Sequence, residues 1–214
     1  MADLVGLAAH GLGALTSLSL VLVLFDWSLF AYHPTCMAIG YLLLMCEGIL
    51  EAVGFRSLEG DRRVAAITRH MWWQVSAVVC VGAGFGAIYA NKVAHGKEHF
   101  LSRHAKVGLA TLIFTALAPL IGAASFKSLG IFETLPMWLQ QRVKWIHRNV
   151  GTVVWVSSLL TIELALTHHA VQKGAFTTFW QGSVVVLGLI VMLKMRQRPT
   201  KFPTNIPTHK EVQQ

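Results

Sequence analysis

The chain has 214 residues, of which 54% are hydrophobic and only 13% carry a charge. Soluble globular domains carry about 25% charged residues, so this composition, with a mean hydropathy of +0.55, excludes an ordinary soluble domain. The net charge of +8 does not indicate nucleic-acid binding, because no basic stripe with interleaved aromatic residues occurs outside the boundaries of the apolar segments.

Six apolar segments are long enough to cross a membrane as helices. About 20 apolar residues span a hydrocarbon core roughly 30 Å thick. A backbone in lipid must satisfy its own hydrogen bonds, which favours helices, and the alternation of a β-barrel strand over about 10 residues is missing. The predicted fold class is therefore all-α, an integral membrane bundle of six transmembrane helices over residues 4–25, 30–54, 70–91, 104–125, 147–168 and 175–193.

The two ends of the chain differ in character. Residues 4–25 lack a basic leading segment and are longer than the apolar core of a cleaved signal peptide, so we expect them to be retained as a helix. The last residues are polar and contain Pro203 and Pro207, which is typical of a disordered segment. We predict one transmembrane domain over residues 1–198 and a cytoplasmic disordered tail over residues 199–214.

Basic residues are unevenly divided between the two ends of the predicted bundle. Lys and Arg accumulate in the short cytoplasmic loops of membrane proteins. We therefore expect both termini in the cytoplasm, together with the junctions between helices 2 and 3 and between helices 4 and 5. Thirteen of the 18 basic residues lie at this end: Arg56, Arg62, Arg63, Arg69, Lys127, Arg142, Lys144, Arg148, Lys194, Arg196, Arg198, Lys201 and Lys210.

One histidine lies at the predicted start of each helix from the second to the fifth. Successive membrane helices run in opposite directions, so His33 and His104 belong to one face of the membrane and His70 and His147 to the other. Two imidazoles that fill both axial positions of a haem suit electron transfer rather than oxygen binding. A structural zinc site needs four ligands at one point, whereas these four histidines are divided between two faces of the membrane. With no CxxCH motif present, the sequence predicts two non-covalent haems b with paired histidine ligands.

Glycines follow two of these histidines after one helical turn. Gly108 follows His104 and Gly151 follows His147, each on the same helix face as the ligand. A missing side chain there lets a flat porphyrin approach the backbone of the ligating helix. Gly40, two turns after the ligand of the second helix, is a further candidate for this role.

The histidine motifs resemble those of the cytochrome b-561 family. The resemblance covers about residues 30–170, and the short branch of cytochrome b-561 domain-containing transmembrane reductases is the most similar. It implies six helices, with helices 2–5 holding the two haems, and a homodimer. The motifs that carry it are Tyr32-His33-Pro34, Thr68-Arg69-His70, Ser102-Arg103-His104 and Ile146-His147.

The resemblance also implies an activity, that of a transmembrane ascorbate-dependent oxidoreductase. Electrons would pass from cytoplasmic ascorbate to the semidehydroascorbate radical or a ferric chelate on the other side. By this likeness His70 and His147 hold the cytoplasmic haem, and His33 and His104 hold the haem on the far side. We expect the membrane to be that of the endoplasmic reticulum or a vesicle rather than the plasma membrane.

Basic residues near the two cytoplasmic histidines are candidates for binding the donor. Ascorbate is a small monoanion at neutral pH, and cations attract and orient such a molecule. We predict substrate contacts from Arg62, Arg63, Lys144 and Arg148, and a haem contact from Arg69. The alternative is that these residues only set the orientation in the membrane.

Candidates on the far side are Arg103, Lys106 and His99. The first two are predicted to pair with haem propionates, because guanidinium and ammonium groups form charge-assisted bonds to carboxylates. His99, in the loop between helices 3 and 4, is predicted to meet the electron acceptor, although loop histidines are usually just solvated.

Three acids lie within predicted helices, where a carboxyl group is costly. Glu47 and Glu51 are one turn apart on helix 2, and Glu163 is on helix 5. We expect them to face inward, and the first two either to accept protons that accompany electron transfer or to pair with Arg56. Glu47 resembles a glutamate in helix 2 of the short branch of the family, and His10 in helix 1 is a further point of resemblance to that branch.

Two functions from other classes stay open at this point. The first is a haem-b membrane anchor subunit of a quinone-linked or multi-subunit redox complex. The second is a channel or proton transporter that uses histidine and glutamate side chains without haem, in which case the glycines beside the histidines would have no purpose.

Overall fold

The computed structural model describes residues 3–168, 171 and 174–197, and all the regular secondary structure in these ranges is helical. The predicted tail over residues 199–214 lies outside the described residues. The prediction of an all-α bundle with six membrane-spanning helices is confirmed. The helices are α1 (Leu4–Leu24), α2 (Leu29–Ser57), α3 (Gly60–Ala94), α4 (Arg103–Ser125), α5 (Met137–Leu166) and α6 (Ala175–Arg196).

Two helices begin earlier than predicted. α3 begins at Gly60 rather than at residue 70, and α5 begins at Met137 rather than at residue 147. Hydropathy falls where charged residues appear, but Arg, Lys and Gln favour helix, so both helices continue beyond the apolar segment. His70 and His147 therefore lie well inside their helices and mark the start of the apolar part only.

The second helix is not a regular α-helix over its whole length. Its first part, Leu29–Met37, and its third part, Cys46–Gly54, are α-helical, and between them Ala38–Met45 forms a π-helix. The Ser17 hydroxyl on α1 donates to the Ala38 carbonyl at 3.2 Å. Such wide turns are frequent at functional sites, and this one lies between the two ends of α2 that contribute to the histidine sites.

The helices pack in two pairs with a third layer beside them. α2 lies along α3 and α4 lies along α5, while α1 and α6 contact each other and cover α2. The interior is filled by large apolar side chains such as Trp155, Leu42 and Leu187. Many other apolar side chains point outward, as expected of helices surrounded by lipid.

The ends of three helices are tied together at one side of the bundle. Lys194 on α6 donates to the carboxylate of Asp3, which caps α1. Arg56 at the end of α2 donates to the Met195 carbonyl at 2.8 Å. We call this side the basic end, because the junctions from α2 to α3 and from α4 to α5 also lie here, and the opposite side the far end.

Gly40 has a different role from the one predicted. A β-carbon at this position would lie 2.5 Å from Cγ2 of Val81 and 3.3 Å from the Ala77 carbonyl oxygen, both on α3. The missing side chain therefore lets α2 and α3 approach each other, a role that the sequence pattern alone does not separate from space for a porphyrin.

We expect Gly40→Val to lower the stability of the folded bundle by about 1–3 kcal/mol, the usual cost of overpacking. The measurement is the unfolding temperature of the purified protein in detergent. Gly82→Val is the matched control, because a β-carbon at Gly82 on α3 meets no atom within 4 Å. Equal unfolding temperatures of the two variants would contradict the assignment.

Candidate functional site

The four histidines predicted as ligands meet in two pairs. The ring centroids of His33 on α2 and His104 on α4 are 6.0 Å apart, and those of His70 on α3 and His147 on α5 are 6.2 Å apart. The first pair lies towards the far end and the second towards the basic end. The structure thus brings together the same pairs that the alternating helix directions predict, and each pair bridges the α2–α3 and α4–α5 layers.

The gap within each pair fits one metal ion held between two imidazoles. Metal–nitrogen bonds of about 2.0 Å on either side of one ion give a centroid separation on the order of 6 Å. No group of three or more His, Cys, Asp or Glu side chains that could hold a bare metal occurs among the described residues. Each pair thus offers two imidazole nitrogens, which is the number of protein ligands that a haem iron with paired histidines would take.

Three of the four imidazoles are fixed through their Nδ1 atoms, and each donates to a backbone carbonyl on the neighbouring helix. Such a bond fixes the tautomer and the ring orientation, and it leaves the Nε2 lone pair for a metal. The donors and acceptors are His33 to Gly84 at 3.1 Å, His70 to Gly48 at 2.6 Å, and His104 to Thr161 at 2.9 Å.

The fourth imidazole is held by packing instead. Nδ1 of His147 is buried and approaches the Ala118 carbonyl without a hydrogen bond of good geometry. Across the interface, a β-carbon on Gly122 of α4 would lie 2.9 Å from Cε1 of His147. The sequence pattern does not indicate Gly122, because it lies at the opposite end of α4 from His104 and meets His147 only across the contact between α4 and α5.

A cavity of about 1130 Å³ surrounds the far-end histidines and has walls from all six helices. Its lining is largely apolar and includes Gly108, the glycine predicted to lie beside the cofactor. The hydroxyl of Tyr41, another wall residue, is hydrogen-bonded to Thr115 at 3.1 Å. Its size and lining are those of a pocket for a large, mostly apolar ligand.

Comparisons with known proteins agree with this geometry. The sequence profile of the eukaryotic cytochrome b561 family matches residues 32–173, which contain all four histidines. The chain belongs to the cytochrome b561 family. The resemblance inferred from the histidine motifs is thereby confirmed, and membership implies haem b as the cofactor.

Three relatives in this family are informative. The mouse transmembrane reductase CYB561D2 is 30% identical over 143 residues, which are 65% of this chain and 61% of the mouse protein. The human protein of the same name is 28% identical over 172 residues, or 77% of this chain and 74% of the human protein. A Caenorhabditis elegans CYB561 homologue is named as a putative transmembrane ascorbate-dependent reductase. It is 21% identical over 152 residues, which are 67% of this chain and 54% of the worm protein. The match thus spans less than two thirds of the mouse protein.

At the far end of this cytochrome b561, the two basic residues predicted to pair with haem propionates do not line the cavity. Arg103 and Lys106 are exposed and do not line it. Lys92, which the sequence analysis did not select, does line it, and its ammonium donates to the Glu98 carbonyl at 2.6 Å. His99 also lines the cavity and stacks on Tyr89 with ring centroids 4.4 Å apart. Lys92 lies in the last turn of α3, and the loop after α3 brings His99 to the same cavity, which local sequence could not indicate.

At the basic end, two of the predicted arginines are already engaged by the protein. Arg69 donates to the Glu51 carboxylate through Nε at 2.9 Å and Nη2 at 2.5 Å. Arg63 donates to the Phe55 and Leu58 carbonyls at 3.1 and 3.3 Å, so it closes the end of α2. Of the two alternatives for Glu47 and Glu51, the pairing with Arg56 is wrong, because Arg56 binds the last turn of α6.

The remaining basic residues of the predicted donor site are exposed at the same end. Lys144 is within electrostatic range of Lys127, Arg63 and Arg148, and its ammonium lies 4.3 Å from the ring centroid of Phe132. Arg62 is also exposed. Gly151, one turn after His147, faces open space, since a β-carbon there meets no atom within 4 Å.

Proposed function

We propose that this cytochrome b561 is a transmembrane oxidoreductase that binds two haems b. The first is held by His70 and His147 at the basic end and the second by His33 and His104 at the far end. The observation that carries the proposal is the pair of imidazole sites at opposite ends of one bundle, with ring centroids 6.2 and 6.0 Å apart.

Each part of the chain has a definite task in this function. Haem iron, when bound, supplies one-electron oxidation and reduction without an open coordination position. The four imidazoles would hold the iron through Nε2, and the carbonyls of Gly84, Gly48 and Thr161 keep three of the rings in one tautomer. Largely apolar walls surround the far-end site, and the bundle sets the separation between the two sites.

We propose ascorbate as the electron donor and the basic end as the cytoplasmic face. Lys144, Arg148 and Arg62 are exposed there, and a group of cations attracts a small monoanion. On this proposal both termini are cytoplasmic, the chain forms a homodimer, and it resides in an endoplasmic reticulum or vesicle membrane. Semidehydroascorbate or a ferric chelate accepts the electron at the far end, near Lys92 and His99.

The proposal is tested in vesicles that contain the purified protein and enclose ascorbate. With the protein's basic end facing inward, an external ferric chelate should be reduced. Vesicles that enclose ascorbate but lack the protein should show no such reduction. Two haems that only dithionite reduces would instead support a partner-fed or quinone-linked membrane anchor. A protein that binds no haem would refute the proposal.

We expect Lys144→Gln to raise the KM for ascorbate by about 5- to 10-fold, the usual size of one charge-assisted contact, with little change in kcat. The measurement is the rate of haem reduction against ascorbate concentration at low and high salt. Lys97→Gln is the control, because Lys97 is an exposed lysine at the far end. An unchanged KM would leave Lys144 as a residue that only sets orientation.

A further inference from the structure

A second polar contact inside the membrane joins α1 to α2, and the proposed function does not use it. Nδ1 of His10 lies 2.7 Å from the carboxylate oxygens of Glu47. The His10 side chain is 46% exposed and that of Glu47 is 19% exposed. Ionisable side chains within a membrane span are costly and mark functional positions by default. We call these two residues the His10–Glu47 pair.

The pair is next to the structure that holds a predicted haem ligand. Glu47 immediately precedes Gly48, whose carbonyl accepts the Nδ1 hydrogen of His70 at 2.6 Å. One peptide unit and one hydrogen bond therefore separate Glu47 from the imidazole, a distance on the order of 10 Å. Imidazole is the side chain whose charge changes most readily in the physiological pH range.

We propose that the His10–Glu47 pair is the proton-binding site coupled to reduction at His70 and His147. This inference rests on the proposed function. When one electron from the donor arrives at the basic-end site, one proton from water at that end binds to the pair. When the electron passes to the far-end site, the pair releases the proton to the same side. Charge is thereby kept balanced in a medium of low dielectric constant.

The other charged groups near the pair are less suited to this role. Asp3, which caps the start of α1, is within electrostatic range of His10. Lys194 donates a hydrogen bond to its carboxylate and holds the pKa of that carboxyl below its usual range. Glu51 already accepts two hydrogen bonds from Arg69. Arg56 is bound to the Met195 carbonyl, and the thiol of Cys46 is buried.

Electrostatics gives the coupling a measurable size. A unit charge added at about 10 Å in a medium with an effective dielectric constant of about 20 changes a proton affinity by an amount on the order of tenfold. The pair should therefore bind a proton about tenfold more tightly when the basic-end site is reduced. By reciprocity, the midpoint potential of that site should fall as the pH rises.

The test is a redox titration of the haem-loaded protein from about pH 6 to about pH 8, the range in which imidazole titrates. The basic-end haem is identified as the component that disappears in His147→Ala. We expect the pH dependence of its midpoint potential to be lost in Glu47→Gln and in His10→Gln, and retained in Glu47→Asp. Glu133→Gln is the matched control, since Glu133 is an exposed carboxylate at the same end.

A second readout does not use potentials. Infrared difference spectra between the oxidised and reduced protein should contain carboxyl or imidazole bands that disappear in Glu47→Gln. If Glu47→Gln binds two haems and keeps both the bands and the pH dependence, the inference is wrong while the proposed function stands. If the unmodified protein binds no haem, the proposed function fails, and the inference fails with it.

Discussion

Replacing His70 by alanine is expected to remove one of the two proposed haems and to stop electron transfer across the membrane. The same result is expected for His147→Ala, because the two rings face each other across 6.2 Å and neither is near a substitute ligand in the described part of the chain. Loss of a group that only orients a metal ligand lowers metal affinity by about 10–100-fold, and loss of the ligand itself should lower haem affinity further.

The measurement is the ratio of haem to protein together with the rate of transmembrane reduction in vesicles. The ratio should fall from two to one, with the far-end haem retained, since His33 and His104 have their own anchors at Gly84 and Thr161. His95→Ala, in the exposed loop after α3, is the control and should bind both haems. Two haems per chain in either ligand variant would refute the assignment.

The pairing of the histidines could be predicted because it follows from chain direction alone. A residue near the same end of each apolar segment alternates between the two sides of a membrane, so His33 must face His104 and His70 must face His147. The six helices could be predicted from hydropathy, because apolar segments of about 20 residues without β-barrel alternation satisfy their backbone hydrogen bonds in lipid as helices. The early starts of α3 and α5 could not be predicted, because a helix that extends beyond the membrane carries no hydropathy signal there.

What holds the histidines in place could not be predicted from the sequence. The carbonyls of Gly48, Gly84 and Thr161 are acceptors through their position on a neighbouring helix, and every residue has such a carbonyl. Likewise, Glu47 and Glu51 look equivalent on one face of α2, yet in the structure Glu47 pairs with His10 and Glu51 pairs with Arg69. The π-helical segment at Ala38–Met45 changes the register of α2 before these residues, and no local pattern marks it.

Enlarging Gly122 is expected to have the second largest effect, and it tests a residue that carries no ligand. A β-carbon at this position would lie 2.9 Å from Cε1 of His147 and 3.4 Å from Nδ1. Because His147 lacks the hydrogen bond that fixes the other three rings, the packing of α4 decides where its imidazole lies. Gly122→Ala should therefore weaken the basic-end haem, and Gly122→Leu should displace the ring and lose that haem.

The expected loss of haem affinity at the basic end is about 10–100-fold, the range for groups that orient metal ligands. It is measured as the haem-to-protein ratio during titration with a competing haem acceptor, together with the low-spin signals of each haem. Gly86→Leu, at a glycine of α3 with no atom within 4 Å of its β-carbon position, controls for the added bulk. A graded loss from Ala to Leu that spares the far-end haem identifies Gly122 as the residue that positions His147. Equal loss of both haems would instead indicate a general defect in packing between α4 and α5.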